Sequence, residues 1–106
     1  MHLAFYRDQA GEPRASGAPP YELLGHFLES DMQANRTVCQ DILRILDCVA
    51  AGELQGWQQT GNAHTLALAA DGARITAEFD PTARPCHITL AEFRGVLERW
   101  CAFLAD

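Results

Sequence analysis

The apolar residues of this chain change their period three times, and each change marks a boundary. In HLAFYRD, Leu3 and Phe5 alternate with Ala4 and Tyr6, which predicts a strand. It is expected to pair with a short run near Arg14 across the turn QAGEP. SGAPP then breaks the chain, with Pro20 placed to occupy the first turn of a helix. From Tyr21 the spacing becomes three and four. Tyr21, Leu24, Phe27 and Leu28 predict a short helix over YELLGHFLES, weakened slightly by Gly25. Val38, Ile42, Ile45, Leu46 and Val49 predict a longer one, with Cys39 and Leu43 on its flank and Gln40, Asp41, Arg44 and Asp47 facing outward. Ser30 or Asp31 is placed to cap that helix, with Gln33 at capping-box spacing from Ser30. Gly52 is placed to end it in the left-handed conformation. The pattern fits either two helices or one kinked helix.

Beyond Gly52 the period falls to two. Strands are predicted over 54–59, 64–69 and 73–79, joined by Thr60-Gly61-Asn62 and Asp71-Gly72, where Gly and Asn tolerate positive φ. Leu66 and Leu68 on the middle strand, and Ile75, Ala77 and Phe79 on the last, form one dry face; Arg74, Thr76 and Glu78 point away. The loop DPTARP follows. Leu90, Phe93, Val96, Leu97, Trp100, Phe103 and Leu104 then give the strongest helical stripe in the chain, with Thr89 as cap and Glu92 completing a capping box. The expected fold is α+β: an antiparallel meander of three to five strands with two or three helices packed on one face, in a single domain over 1–106.

Composition narrows the function classes. Hydrophobic content of 48% and a mean hydropathy of -0.12 fit a folded chain that buries its own core. No apolar run approaches the length of a membrane span, and the N-terminus lacks the basic start and apolar region of a secretory signal. Four cysteines, at 39, 48, 86 and 101, form no CxxC, so no disulfide framework is expected and a cytoplasmic location is. Net charge is -6, and all eight basic residues counted are arginine. This balance disfavours nucleic acid or an anionic membrane as the direct partner and fits a cationic protein. The acids concentrate in residues 22 to 53, where Glu22, Glu29, Asp31, Asp41, Asp47 and Glu53 face Arg36 and Arg44, a net -4. Those six acids are the candidate docking surface.

Sites for chemistry are sparse. Cys86, His87 and His64 are conceivable metal ligands, but adjacent strand residues point to opposite faces, so no metal or other cofactor is expected. A thiolate at Cys86, near Arg84 and His87, has no supporting motif. The carboxylate pairs Glu29/Asp31 and Glu78/Asp80 read as solvated, whereas acid–base work needs one member desolvated. Neither TGN nor ADG is a phosphate-binding loop. His26 reads as a boundary residue, and Trp57, Tyr6 and Tyr21 as core. No catalytic residue is assigned, and an enzyme is not expected.

Taken together, Asp31 and Gln33 ahead of a long helix, the Gly61-Asn62 hairpin, and Ile88, Thr89, Leu90, Phe93, Leu97, Trp100, Phe103 and Leu104 in the last helix carry a resemblance. Residues 21 to 105 resemble the small bacterial immunity proteins of contact-dependent growth inhibition systems, and more loosely the YacL-like family. The resemblance implies a cytoplasmic immunity protein. The sequence does not fix the oligomeric state, and a monomer is favoured. Such a protein would bind the C-terminal toxin domain delivered by a neighbouring cell. Such toxins are often basic RNases acting on tRNA, and the inhibitor would occlude the active site or RNA-binding groove. No family binding residue transfers, because partner contacts diverge with the toxin. The rival reading is a housekeeping or regulatory protein-binding module with no toxin partner.

Overall fold

The computed structural model describes residues 3–105. Two strands open the chain, β1 (Leu3–Arg7) and β2 (Pro13–Gly17), paired antiparallel around a turn that includes Gly11 at φ 81°. A short helix α1 (Glu22–Phe27) runs directly into a π-helical turn, Leu28–Met32, and the long helix α2 (Arg36–Ala50) follows. Four antiparallel strands come next, β3 (Gly56–Thr60), β4 (His64–Ala69), β5 (Gly72–Ala77) and β6 (Cys86–Ile88), lying side by side in chain order. Helix α3 (Leu90–Leu104) follows them. The fold is α+β, with antiparallel sheets of two and four strands and the helices packed against the larger one.

Strand register explains where the core lies. Leu66 pairs with Ile75 and Ile75 with Cys86; Leu68 pairs with Ala73 and Ala73 with Ile88. Directly opposed residues share a face, so two rows of apolar side chains cross the sheet, and all six residues are buried. Onto that face α3 presents Phe93, Val96, Leu97 and Trp100, all fully buried. The Trp100 indole donates to the Gln33 carbonyl at 3.1 Å, and its ring meets Phe5 edge-on at 5.1 Å between centroids. The β1–β2 hairpin is thus fastened to α3, and Arg99 adds a hydrogen bond to the Leu3 carbonyl. Gly25 proves to be a contact rather than a weak point. A Cβ there would lie 3.1 Å from the Ala15 carbonyl oxygen, so a larger residue would push α1 off β2.

Several expectations need correction. Neither Ser30 nor Asp31 caps α2. The π turn carries the first helix on to Met32, and Asn35, in an extended conformation, caps α2 by accepting from the Val38 N–H at 3.1 Å. Pro20 lies outside α1, which begins after Tyr21. The first meander strand is Gly56–Thr60 instead of 54–59. Neither Gly61 nor Asn62 takes a positive φ. Phe79 does not face the core: β5 stops at Ala77, which pairs with His64, the first residue of β4, and Phe79 is 82% exposed. The predicted end of α2 holds. Gly52 has φ 80°, with Glu53 N–H bonded to the Cys48 carbonyl and Gly52 N–H to the Val49 carbonyl, both arms of a Schellman motif. Thr89 caps α3 as expected, accepting from Glu92 N–H at 3.0 Å.

Candidate functional site

Where the π turn meets the β3–β4 hairpin, a carboxylate is buried. The Asp31 side chain is 4% exposed and accepts from four donors or potential donors. Its Oδ1 lies 2.9 Å from His64 Nδ1 and 2.7 Å from Ser30 Oγ. Its Oδ2 takes the backbone N–H groups of Ala63 at 3.3 Å and His64 at 3.1 Å. Burial alone would raise the Asp31 pKa; the hydrogen bonds from His64, Ser30 and the two N–H groups outweigh it and hold the carboxyl below its ordinary value. Asp31 is therefore a carboxylate at neutral pH, a pure acceptor. The hydrogen bond it shares with His64 is accordingly donated by His64 Nδ1.

The surrounding backbone is shaped to allow this. A Cβ at Gly61 would fall 2.4 Å from Asp31 Oδ2, so glycine is required there by close approach rather than by φ. Gln33 sits at φ 54°, ψ −150°, a conformation that non-glycine residues avoid. It is held there by its N–H on the Leu28 carbonyl, by its side-chain amide on the Ser30 carbonyl at 3.0 Å, and by Trp100 on its own carbonyl. Asn62 also donates to the Ser30 carbonyl, at 2.9 Å. Strained backbone and π-helical turns concentrate at functional sites, and here both flank one Asp–His pair.

His64 also lines a cleft of about 960 Å³. Leu23, Phe79 and Pro85 give apolar walls; Glu22, Asp80, Arg84 and His26 bring the polar groups. His64 itself is 5% exposed. Its Nε2 has no hydrogen-bond partner among the described residues, and none of their buried side-chain nitrogen or oxygen atoms lacks one, so this nitrogen is not sealed from solvent. Asp80 accepts from the Thr82 hydroxyl and N–H, which lowers its pKa.

The six acids proposed from the sequence do not form one surface. Glu22 lines the cleft. The Glu29 side chain is only 15% exposed and pairs with Arg14 of β2 at 3.3 Å. Asp31 is interior, which removes it from any docking face and corrects its reading as a solvated acid. Asp41 pairs with Arg44 one turn along α2, and Asp47 bridges to Arg94 of α3 at 2.9 and 3.1 Å. Glu53 is exposed after the end of α2. His64 was missed as a partner of Asp31, although two signals pointed to it. The alternation His64, Leu66, Leu68 puts the histidine on the inward face, and positions 24, 27, 28 and 31 continue one helical stripe.

Thiol and metal chemistry find little support in the geometry. Cys86 is buried while His87 is exposed, as opposite strand faces require. Burial, and then Glu92, push the Cys86 thiol up. Burial and neighbouring Cys101 push Cys39 up to about 12. No group of three or more His, Cys, Asp or Glu among the described residues is placed to hold a metal ion. Among the same residues no helix is long and apolar enough to cross a membrane. No curated protein and no solved structure matches the chain. A family model matches residues 1–83, the span that carries Gln33, the π turn, the Gly61 hairpin and the Asp31–His64 pair, and the chain belongs to that family, the uncharacterised protein family UPF0231.

Proposed function

We propose that this chain is an inhibitory binding protein of the immunity type. It works without chemistry of its own, in the bacterial cytoplasm. Its partner is a cognate toxin domain, a basic nuclease such as a tRNA-directed RNase, whose active site or RNA-binding groove it occludes. The observation that carries this reading is the 960 Å³ cleft with Phe79 standing 82% exposed on its wall. Large aromatic side chains left in water at a concave apolar surface are the usual anchors of protein recognition. The chain's charge of -6 adds long-range attraction for a basic partner.

We assign the contact surface to the cleft in place of the acidic face proposed from sequence. Asp41 and Asp47 on α2 are already paired with arginines, so the cleft with Glu22 takes over the role given to the acidic helix. The test is co-expression with the toxin domain encoded by the adjacent reading frame. Rescue of growth and an equimolar complex are expected, and Phe79→Ala should weaken that complex by about 2 kcal/mol, roughly thirtyfold in Kd. Neither rescue nor co-purification with the wild-type chain overturns the reading.

A further inference from the structure

The four-stranded sheet ends on β3, and that edge is built unlike the others among the described residues. Sheets keep a free edge from pairing with other chains by making it short or by placing charge or proline on it. At the opposite end, β6 is three residues long and follows Pro85; β1 carries Arg7, and β2 carries Pro13 and Arg14. β3 has none of these devices. Its sequence GWQQT is uncharged, and residues 54 to 63 include no Asp, Glu, Arg or Pro. Gly56, Gln58, Gln59 and Thr60 are exposed, and Trp57 is half-buried. We propose that β3 pairs antiparallel with β3 of a second copy of this chain, joining the two four-stranded sheets into one. This goes beyond the inhibitory reading and leaves its cleft open, because no β3 residue lines the cleft.

The register of the meander fixes which backbone groups β3 has on offer. Gly61 N–H bonds to the His64 carbonyl and Glu78 N–H to the Ala63 carbonyl, each at 2.9 Å. Hydrogen-bonded pairs alternate along an antiparallel ladder. Stepping back from Gly61, Gln59 and Trp57 turn their N–H and C=O groups toward Leu66 and Leu68 of β4, so Gly56, Gln58 and Thr60 turn theirs to the open side. A two-fold axis through Gln58 sets Gln58 against Gln58 of the second copy and Gly56 against Thr60. All three outward residues then meet their counterparts, with roughly six hydrogen bonds between the chains. On the face shared with Leu66 and Leu68, Trp57 meets Gln59 of the second copy. Charge selects a second copy over the basic partner. Two chains of net -6 touch where neither strand carries charge, and their Glu53 carboxylates lie at opposite ends of the pair, beyond a Debye length of about 8–10 Å. A cationic strand laid along β3 would find no carboxylate on it.

A five-residue edge buries less area than a standard interface, so the dimer is weak and depends on concentration. Sedimentation equilibrium of the full chain from about 10 to about 500 µM should show monomer and dimer exchanging. The Gln58 side chain is exposed, so Gln58→Lys and Gln58→Glu should melt close to wild type. Each variant alone sets like charges face to face on the axis and should dimerise at least about tenfold more weakly, whereas an equimolar mixture of the two should recover the dimer. Phe79→Ala should dimerise as the wild type does. The proposal is overturned by a wild type monomeric at about 500 µM, a dimer indifferent to both Gln58 variants, a mixture that stays monomeric, or a dimer lost with Phe79→Ala. A monomeric wild type whose toxin complex is weakened by Gln58→Lys gives the edge to the partner protein and overturns it as well. Should the Gln58 variants fail to fold, amide exchange in the wild type decides. The Gly56, Gln58 and Thr60 N–H groups should exchange more slowly as concentration rises, and exchange that ignores concentration overturns the pairing.

Discussion

The outer face of α2 and the junction beneath it both carry aspartates, and the two regions use them in opposite ways. On α2, Asp47 meets Arg94 and Asp41 meets Arg44, with the aspartate side chains about half exposed. Water competes for every one of those contacts, and ion pairs of this kind contribute little. At the junction, Asp31 is hidden, and its four hydrogen bonds join the π turn, the hairpin and His64. There the same side chain costs desolvation on folding and is compensated by the backbone and side-chain donors gathered around it. What separates the regions is access to water, not residue type. Charge in one is a solvated field; in the other it is a structural joint that points a histidine at a cleft.

The largest expected effect breaks the joint. Asp31→Ala leaves two backbone N–H groups without an acceptor and the imidazole N–H with only the Ser30 hydroxyl, 3.3 Å away, and should cost about 3–5 kcal/mol in urea unfolding. Asp47→Ala should stay within about 0.5 kcal/mol by the same measurement. Equal costs would erase the distinction between the regions. A smaller effect tests the approach of the two elements. Gly61→Ala drives a Cβ to within 2.4 Å of Asp31 Oδ2, so the hairpin or the π turn must shift, and a loss of about 1–3 kcal/mol is expected. Gly95→Ala on α3 meets nothing within 4 Å and removes a helix-interior glycine, so it should stabilise by about 0.5–1 kcal/mol. A neutral Gly61→Ala would mean that glycine stands at 61 for some other reason.

The same contrast decides what could be read from the sequence. Features set by local chemistry were legible: the α3 stripe through Phe93, Leu97 and Trp100, the Thr89 cap, the left-handed Gly52, and the inward rows of Leu66, Leu68 and Ile75. Features set by contacts distant in sequence were not. Gly61 looks like a turn residue until Asp31, thirty positions earlier, is seen pressing against it. Asp31 looks like a helix cap because the π turn that carries the helix past it leaves no periodic mark of its own. His64 was in phase with the buried face, but a polar residue at a strand start invites no core assignment until its partner is known. Phe79 was placed inward by extending an alternation past Ala77, which pairs with the first residue of β4, so that β5 has no β4 residue opposite it beyond that point. The cleft was missed for the same reason, because its walls come from 19–26, 63–64 and 77–85.

The smallest effect is in acid, and its size follows from opposed causes. Burial raises the Asp31 pKa and its hydrogen bonds lower it; the net fall is what remains of two larger contributions. A carboxyl whose folded value lies below its unfolded 3.8 binds protons more readily once unfolded. Its contribution to stability is therefore complete above pH 3.8 and is lost as pH falls through the lower, folded value. Urea unfolding of the wild type between pH 6 and pH 2 should show stability declining below about pH 4, and Asp31→Asn should flatten that decline even though it lowers stability at pH 6. Asp80 is also lowered, by the Thr82 hydroxyl and N–H, but it stands in water. Asp80→Asn should consequently leave the acid limb close to wild type. If Asp80→Asn flattens the limb as much as Asp31→Asn, burial is not what makes the junction different, and the surface of the protein and its joint respond to protons alike.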